Sequence, residues 1–223
     1  MFDLLVIGEI NPDLILRGAN VMPAFGQAEK LVEEATLTIG SSSVIAACGA
    51  ARLGLRVAFC GVVGDDLFGR FMLDAMAARG IDITGCRVDP ALATGLSVIL
   101  AQTGGDRAIL THPGAIPALT AAHIDRNLLA RARHVHVGAY YLLDALRPDL
   151  PVLFREAHDL GLTTSLDPNF DPTGRWDVGD VLDHCDIFLP NATEALAISG
   201  AADLPAAVDW LAARVGTVAV KLG

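Results

Sequence analysis

A chain of 223 residues leaves room for one large α/β domain or two small ones, and 52% apolar side chains suffice for a sizeable core, which excludes a disordered chain. Sixteen basic against twenty-six acidic residues give a net charge of −10. That balance excludes nucleic acid and an anionic membrane surface as main partners, since both require a basic footprint.

From the N-terminus, no basic segment precedes an apolar stretch, so no signal peptide is expected. The apolar runs are short and broken by Gly, Asp or Arg, so no membrane-spanning helix is expected either. Short β-branched runs at Leu4–Ile7, Val57–Val62, Val135–Val137, Thr163–Leu166, Ile187–Leu189 and Thr217–Val220 predict strands. Helical spacing at Val44–Leu53, Phe68–Ala78, Ala121–Ala132, Leu150–Leu160 and Pro205–Val215 predicts the helices between them. Continuous apolar strands alternating with amphipathic helices predict a mostly parallel sheet covered on both faces. Two strand pairs break the rhythm, Leu14–Arg17 with Leu31–Leu37 and Gly95–Leu100 with Arg107–Thr111, the second joined by the turn Thr103-Gly104-Gly105-Asp106. They predict a small β element inserted into the α/β body around 14–37 and 95–112, with no linker to a second independent domain. Cys48, Cys60, Cys86 and Cys185 form no CxxC pair, which predicts reduced core thiols in a cytoplasmic protein, without disulfide or zinc site.

Ligands of open α/β sheets bind beyond the carboxyl ends of the strands, so the residues there carry the functional reading. Asp13, in Gly8-Glu9-Ile10-Asn11-Pro12-Asp13, can accept hydrogen bonds from vicinal hydroxyls; an ordinary loop carboxylate is the bland alternative. Pro12 and the spacing of this turn do not fit a G-x-G-x-x-G dinucleotide loop. Gly40-Ser41-Ser42-Ser43 opens a helix, where small residues let backbone N–H groups approach a ligand oxygen, or where a serine simply caps. Asp65 or Asp66 reads mainly as a helix cap. Asp167-Pro168-Asn169 and Asn191-Ala192-Thr193-Glu194 follow the next strand ends. Asn191 and Glu194 suit a hydrated Mg²⁺ on a nucleotide phosphate, and equally a capping box. His134 and His136 alternate along a strand as core or surface histidines, and nothing forces His112 toward a ligand.

In this order the motifs resemble the ribokinase-like (PfkB) carbohydrate kinase family, in register from Val6 to Gly223. The matches are Gly8 to Asp13, Gly40 to Gly54 with its Ala-Arg-Leu-Gly ending, Gly64-Asp65-Asp66 with Phe68-Gly69, Asp167-Pro168-Asn169, the Asn-x-x-Glu at 191–194, and Val220-Lys221-Leu222-Gly223. The resemblance implies a ribokinase-like α/β fold with the β insertion as a lid, which often mediates dimerisation, and an ATP- and Mg²⁺-dependent transfer of the γ-phosphoryl to a hydroxymethyl group. A small sugar or nucleoside would be held by Asp13, Gly40, Ser41, Ser42 and Asn169; the nucleotide by Asn191, Lys221 and Gly223; the metal by Glu194 and Asp167. Three departures stand out. Ile45 replaces the usual sugar-contacting Asn, and Asp171 stands where many relatives have Arg, with Arg175 nearby. The family's Gly-Ala-Gly-Asp signature, with the general base, is expected beyond Gly223. The C-terminal part of the fold would then be missing, and the 223-residue chain alone inactive. A non-catalytic or degenerate sugar or nucleoside binder is the alternative.

Overall fold

A computed structural model describes residues 1–222. The chain enters the sheet through β1 (Leu4–Ile7), leaves it for the antiparallel pair β2 (Pro12–Gly18) and β3 (Glu34–Ile39), and returns through α1 (Ser42–Arg52) to β4 (Val57–Gly64). It continues through α2 (Leu67–Ala77), β5 (Asp82–Asp89) and the hairpin of β6 (Leu96–Gln102) and β7 (Arg107–His112). Then follow α3 (Arg126–Leu129), β8 (His134–Val137), α4 (Leu150–Asp159), β9 (Thr163–Leu166), β10 (Ile187–Phe188), α5 (Ala192–Ser199), α6 (Leu204–Ala212) and β11 (Thr217–Val218).

Seven strands form one parallel sheet in the order β11-β10-β9-β8-β1-β4-β5, and four form a second sheet, β3-β2-β6-β7. Within the large sheet the alternation of each strand feeds two cores. Leu5, Ile7, Val135, Val137, Leu166 and Phe188 pack with Leu150, Leu153, Phe154 and Leu211 on one face. Val6, Phe59 and Val63 pack with Val44, Met72 and Met76 of α1 and α2 on the other. Helices therefore cover both faces, as continuous apolar strands require. No single helix among the described residues is long and apolar enough to cross a membrane.

Two elements depart from the sequence reading. The helix expected over Ala121–Ala132 is instead a short 3₁₀ turn at Ala121–His123 followed by α3, because Asp125 accepts from Asn127 N at 2.8 Å and starts a new helix. β5 was not anticipated. It lies at the sheet edge, is only partly buried, and mixes Thr, Gly, Arg and Asp among its apolar residues, so no strand period shows. The 103–106 turn does connect β6 to β7, with Gly105 at φ 98° supplying the left-handed residue it needs.

After β1 the order reverses, with β4 on one side and β8 on the other. Open α/β sheets take ligands at such a switch point, beyond the carboxyl ends of the strands.

Candidate active site

At the switch point Glu9 follows β1 and is 3% exposed. Its carboxylate closes the start of α1: Oε1 accepts from Ser42 Oγ at 2.8 Å and from Ser43 N at 3.2 Å, and Oε2 accepts from Ser43 Oγ. Ser41 Oγ donates to Glu9 O at 2.6 Å and accepts from Val44 N at 3.1 Å. The hydroxyls of Ser41 and Ser42 are thus turned inward, and only the backbone here is left to face a ligand. Ser41 itself sits at φ 67°, a region a non-glycine residue enters only when its surroundings hold it there.

Ser43 fits because Gly8 and Gly138 lack side chains. A Cβ on either would overlap its Oγ. Gly40 backs onto Asp13 in the same way, since a Cβ there would overlap Oδ1 and come 2.6 Å from Cγ. Burial holds the Asp13 carboxyl above its usual value, against the opposing charge of Arg107 and together with that of Glu9. Asp13, Gly40, Ser41 and Ser42 are therefore brought together at the root of the small sheet. Ile45 is 52% exposed and lines a separate groove with Ile39, Cys48 and Arg52.

The second cluster gathers the ends of β9, β10 and β11. Asn191 caps α5 by accepting from Glu194 N at 2.8 Å, and Glu194 answers by accepting from Asn191 N at 2.8 Å and Asn191 Nδ2 at 2.7 Å, a complete capping box. Burial pushes the Glu194 carboxyl above its usual value, against the Asn191 bond and the Lys221 charge, with Asp167 adding to the rise. Asn191 pairs with Lys221 as a parallel bridge, and Lys221 Nζ donates to Asp167 Oδ2 at 2.6 Å. Asp167, Asn191, Glu194 and Lys221 thus form one cluster. Gly223 lies outside the described residues.

The carboxylate and amide oxygens of Asp167, Glu194 and Asn191 are of the kind that suits a hard cation. Among the described residues no group of three or more His, Cys, Asp or Glu could hold a metal ion. The carboxylates of Asp167 and Glu194 are engaged by protein donors, Asp167 Oδ2 by Lys221 and both Glu194 oxygens by Asn191.

Between the clusters, Asn169 stands at φ 56°, with Oδ1 accepting from Phe170 N at 3.0 Å. Asp171 is 2% exposed. It accepts from Trp176 N at 2.6 Å and Thr173 N at 2.8 Å, and although burial opposes them, these bonds hold its carboxyl below the usual value. Arg175 lines a cavity of about 370 Å³ with Tyr140, Arg147 and Asp171. His134 and His136 both reach Ser165 Oγ, at 2.7 and 2.8 Å, and burial lowers the His136 pKa to about 4, so this pair belongs to the polar interior. Asp66 proves to be the cap of α2, accepting from Gly69 N at 2.8 Å. Sequence reasoning missed Glu9 and Gly138. No local signal identifies Glu9, because its partners lie 33 and 34 residues away.

A doubly covered parallel sheet, a four-stranded sheet rooted at its switch point and two polar clusters at its strand ends define a ribokinase-like α/β protein. Residues 1–223 match the pfkB family of carbohydrate kinases, and the chain belongs to that family. A probable fructokinase-7 of Arabidopsis thaliana is 34% identical over 133 residues, 58% of this chain and 39% of that protein. An ATP-dependent ribose-1-phosphate kinase of Halopiger xanaduensis is 29% identical over 199 residues, 89% of this chain and 64% of the relative. The crystal structure of a PfkB protein from Polaromonas sp. JS666 superposes with a TM-score of 0.83 at 26% identity, covering 100% of this chain and 77% of the other. The chain thus spans less than two thirds of the length of these two curated relatives.

Proposed function

We propose that the chain carries the acceptor floor and the phosphate-facing cluster of a kinase that moves the γ-phosphoryl of ATP to a hydroxymethyl group of a small sugar or nucleoside. The observation that carries this reading is the convergence of Asp167, Asn191, Glu194 and Lys221 at one group of strand ends, apart from Asp13 and Gly40 at the switch point. Two sites at the strand ends of one sheet suit two substrates held for direct transfer, a reaction that depends on alignment and charge stabilisation. The names of the two curated relatives point to sugar or sugar-phosphate acceptors, and that of the second to ATP.

Asp13 accepts from acceptor hydroxyls, the backbone of Gly40, Ser41 and Ser42 donates to them, and Asn169 offers its side-chain amide. Lys221 and Asn191 face the phosphates. Asp167 and Glu194 would hold Mg²⁺, which would supply neutralisation of phosphate charge. No Gly-Ala-Gly-Asp segment occurs in the 223 residues, so the chain alone is expected to bind both substrates without turning them over. The setting proposed is cytoplasmic, with a homodimer contact on the small sheet, where Leu37, Ile109 and Leu110 are exposed. Ile45 at the usual Asn position favours a second reading, a sugar or nucleoside binder without catalysis.

Calorimetric titration of the chain with neutral sugars, nucleosides and Mg·ATP, beside an assay of ADP release, tests these readings. We expect saturable binding of one polyol and of Mg·ATP, without polyol-dependent ADP. Asp13→Asn should weaken the polyol about tenfold and Lys221→Met the nucleotide about tenfold, each sparing the other ligand. Polyol binding with no nucleotide binding would select the second reading. Robust turnover would place a base within residues 1–223.

A further inference from the structure

We infer that Glu9 is a positioning residue: clamped by Ser42 and Ser43, it fixes the start of α1 so that Gly40–Ser42 lie against Asp13 in the geometry the acceptor needs. The inference rests on the acceptor role proposed above for Asp13 and Gly40–Ser42.

A carboxylate taken from water is costly unless charge-assisted hydrogen bonds and a favourable field offset the loss. Here three donors and the positive end of the α1 dipole do so. Capping alone does not require this arrangement. α5 is closed by its own Asn191 and Glu194, three residues apart, whereas α1 draws its carboxylate from a different strand.

What Glu9 adds is a tie between β1 and the helix start at the switch point. Ser41 is held at φ 67° by its bond to Glu9 O, and the next residues are held by the Glu9 side chain. Gly40, directly before them, has no room for a Cβ beside Asp13. If the helix start shifted by a fraction of an ångström, the N–H groups of Gly40–Ser42 would move relative to the Asp13 carboxylate. Binding geometries tolerate little of that.

Glu9→Met keeps a similar volume but leaves the Ser42 and Ser43 donors without their acceptor, which costs stability, so affinity is read on the folded fraction only. Positioning predicts that polyol affinity of the folded variant falls about tenfold, while Mg·ATP affinity stays within about twofold of wild type. Amides 40–44 should also exchange hydrogen faster, with the remaining sheet protected. Glu9→Gln should recover most of the polyol affinity, since its Oε1 keeps two donors and Ser43 Oγ can accept from its amide. If Glu9→Met does not fold, Ser43→Ala removes a single donor and is expected to weaken polyol binding about threefold.

A folded Glu9→Met chain with wild-type polyol affinity, or Ser43→Ala with none of the expected loss, overturns the inference alone. A wild-type chain that takes no polyol overturns the acceptor reading, and the inference with it.

Discussion

The two strand-end clusters solve one problem in opposite ways. Each opens a helix at the strand ends, and each leaves backbone donors that need an acceptor. At α5 the answer is local: Asn191 and Glu194 satisfy one another within a single turn. At α1 a local cap, Ser41 Oγ accepting from Val44 N, is joined by a remote one, because Glu9 arrives from the end of β1 and requires Gly8 and Gly138 to make space for Ser43. A local cap stabilises its own helix and little else. A remote one couples the helix to the sheet, so its loss should spread from α1 into the fold and the acceptor floor.

The largest expected effect follows from that coupling. Gly8→Ala forces a methyl group into Ser43, 2.6 Å from its Cβ, in a site where neither strand nor helix start can yield. We expect a loss of ~3 kcal/mol in denaturant unfolding, the upper end of ordinary overpacking. Gly49→Ala in the same helix is the control. Nothing lies within 4 Å of its added Cβ, so it should stabilise by about 0.5–1 kcal/mol through helix propensity. Equal effects from the two substitutions would break the comparison.

The same contrast governs how much could be read from the sequence. Strand runs such as Leu4–Ile7 and Thr163–Leu166 declared themselves because burial on both faces leaves a continuous apolar segment. The hairpin of β6 and β7 was legible from its glycine turn. Asn191 with Glu194 was legible as a spacing, since a helix turn sets which residues meet. Glu9 was not, because a contact across 34 residues exists only once β1, α1 and β8 are assembled. β5 was hidden for a related reason: an edge strand buries too little to impose a period. Ser41 and Ser42 were read as possible ligand contacts, and only the assembled fold shows that their hydroxyls turn to Glu9.

An intermediate effect is expected when the local cap is opened. Asn191→Ala removes the acceptor for Glu194 N and one of the donors to Glu194. We expect a loss of ~1–2 kcal/mol at pH 7, made up of the cap and one charge-assisted bond. The pH dependence carries the sign. Burial already raises the Glu194 carboxyl above its ordinary 4.5, so its contribution to stability is fully present below that value and is lost as pH rises through the folded pKa. Removing a donor to the charged form raises the folded pKa further and deepens that loss. The gap between variant and wild type should therefore be widest at neutral pH and narrow below about 4.5, the unshifted value. Urea titrations at pH 7 and 4 measure it. A gap that widens on acidification would mean that Glu194 is not held as the charged partner of Asn191.

Between the clusters stands Tyr141, whose backbone N donates to Pro168 O at 3.4 Å and so ties the loop after β8 to the end of β9. Its ring meets Tyr140 and Trp176 edge-on, with centroids 5.1 and 5.6 Å away, while its hydroxyl is buried without a hydrogen-bond partner among the described residues. Burial accordingly drives the phenol pKa upward. Tyr141→Phe keeps both ring contacts and removes a polar atom that was stripped of water with nothing to offset it. The smallest of these effects, and the one of opposite sign, is therefore a gain of about 0.5–1 kcal/mol in thermal or urea unfolding. The junction would then hold through its ring packing and its backbone bond, unlike α1, where the polar side chain itself makes the tie. A destabilised Tyr141→Phe variant would show instead that the hydroxyl holds the two ends together, and the contrast between a remote polar clamp at α1 and apolar packing beside it would fall.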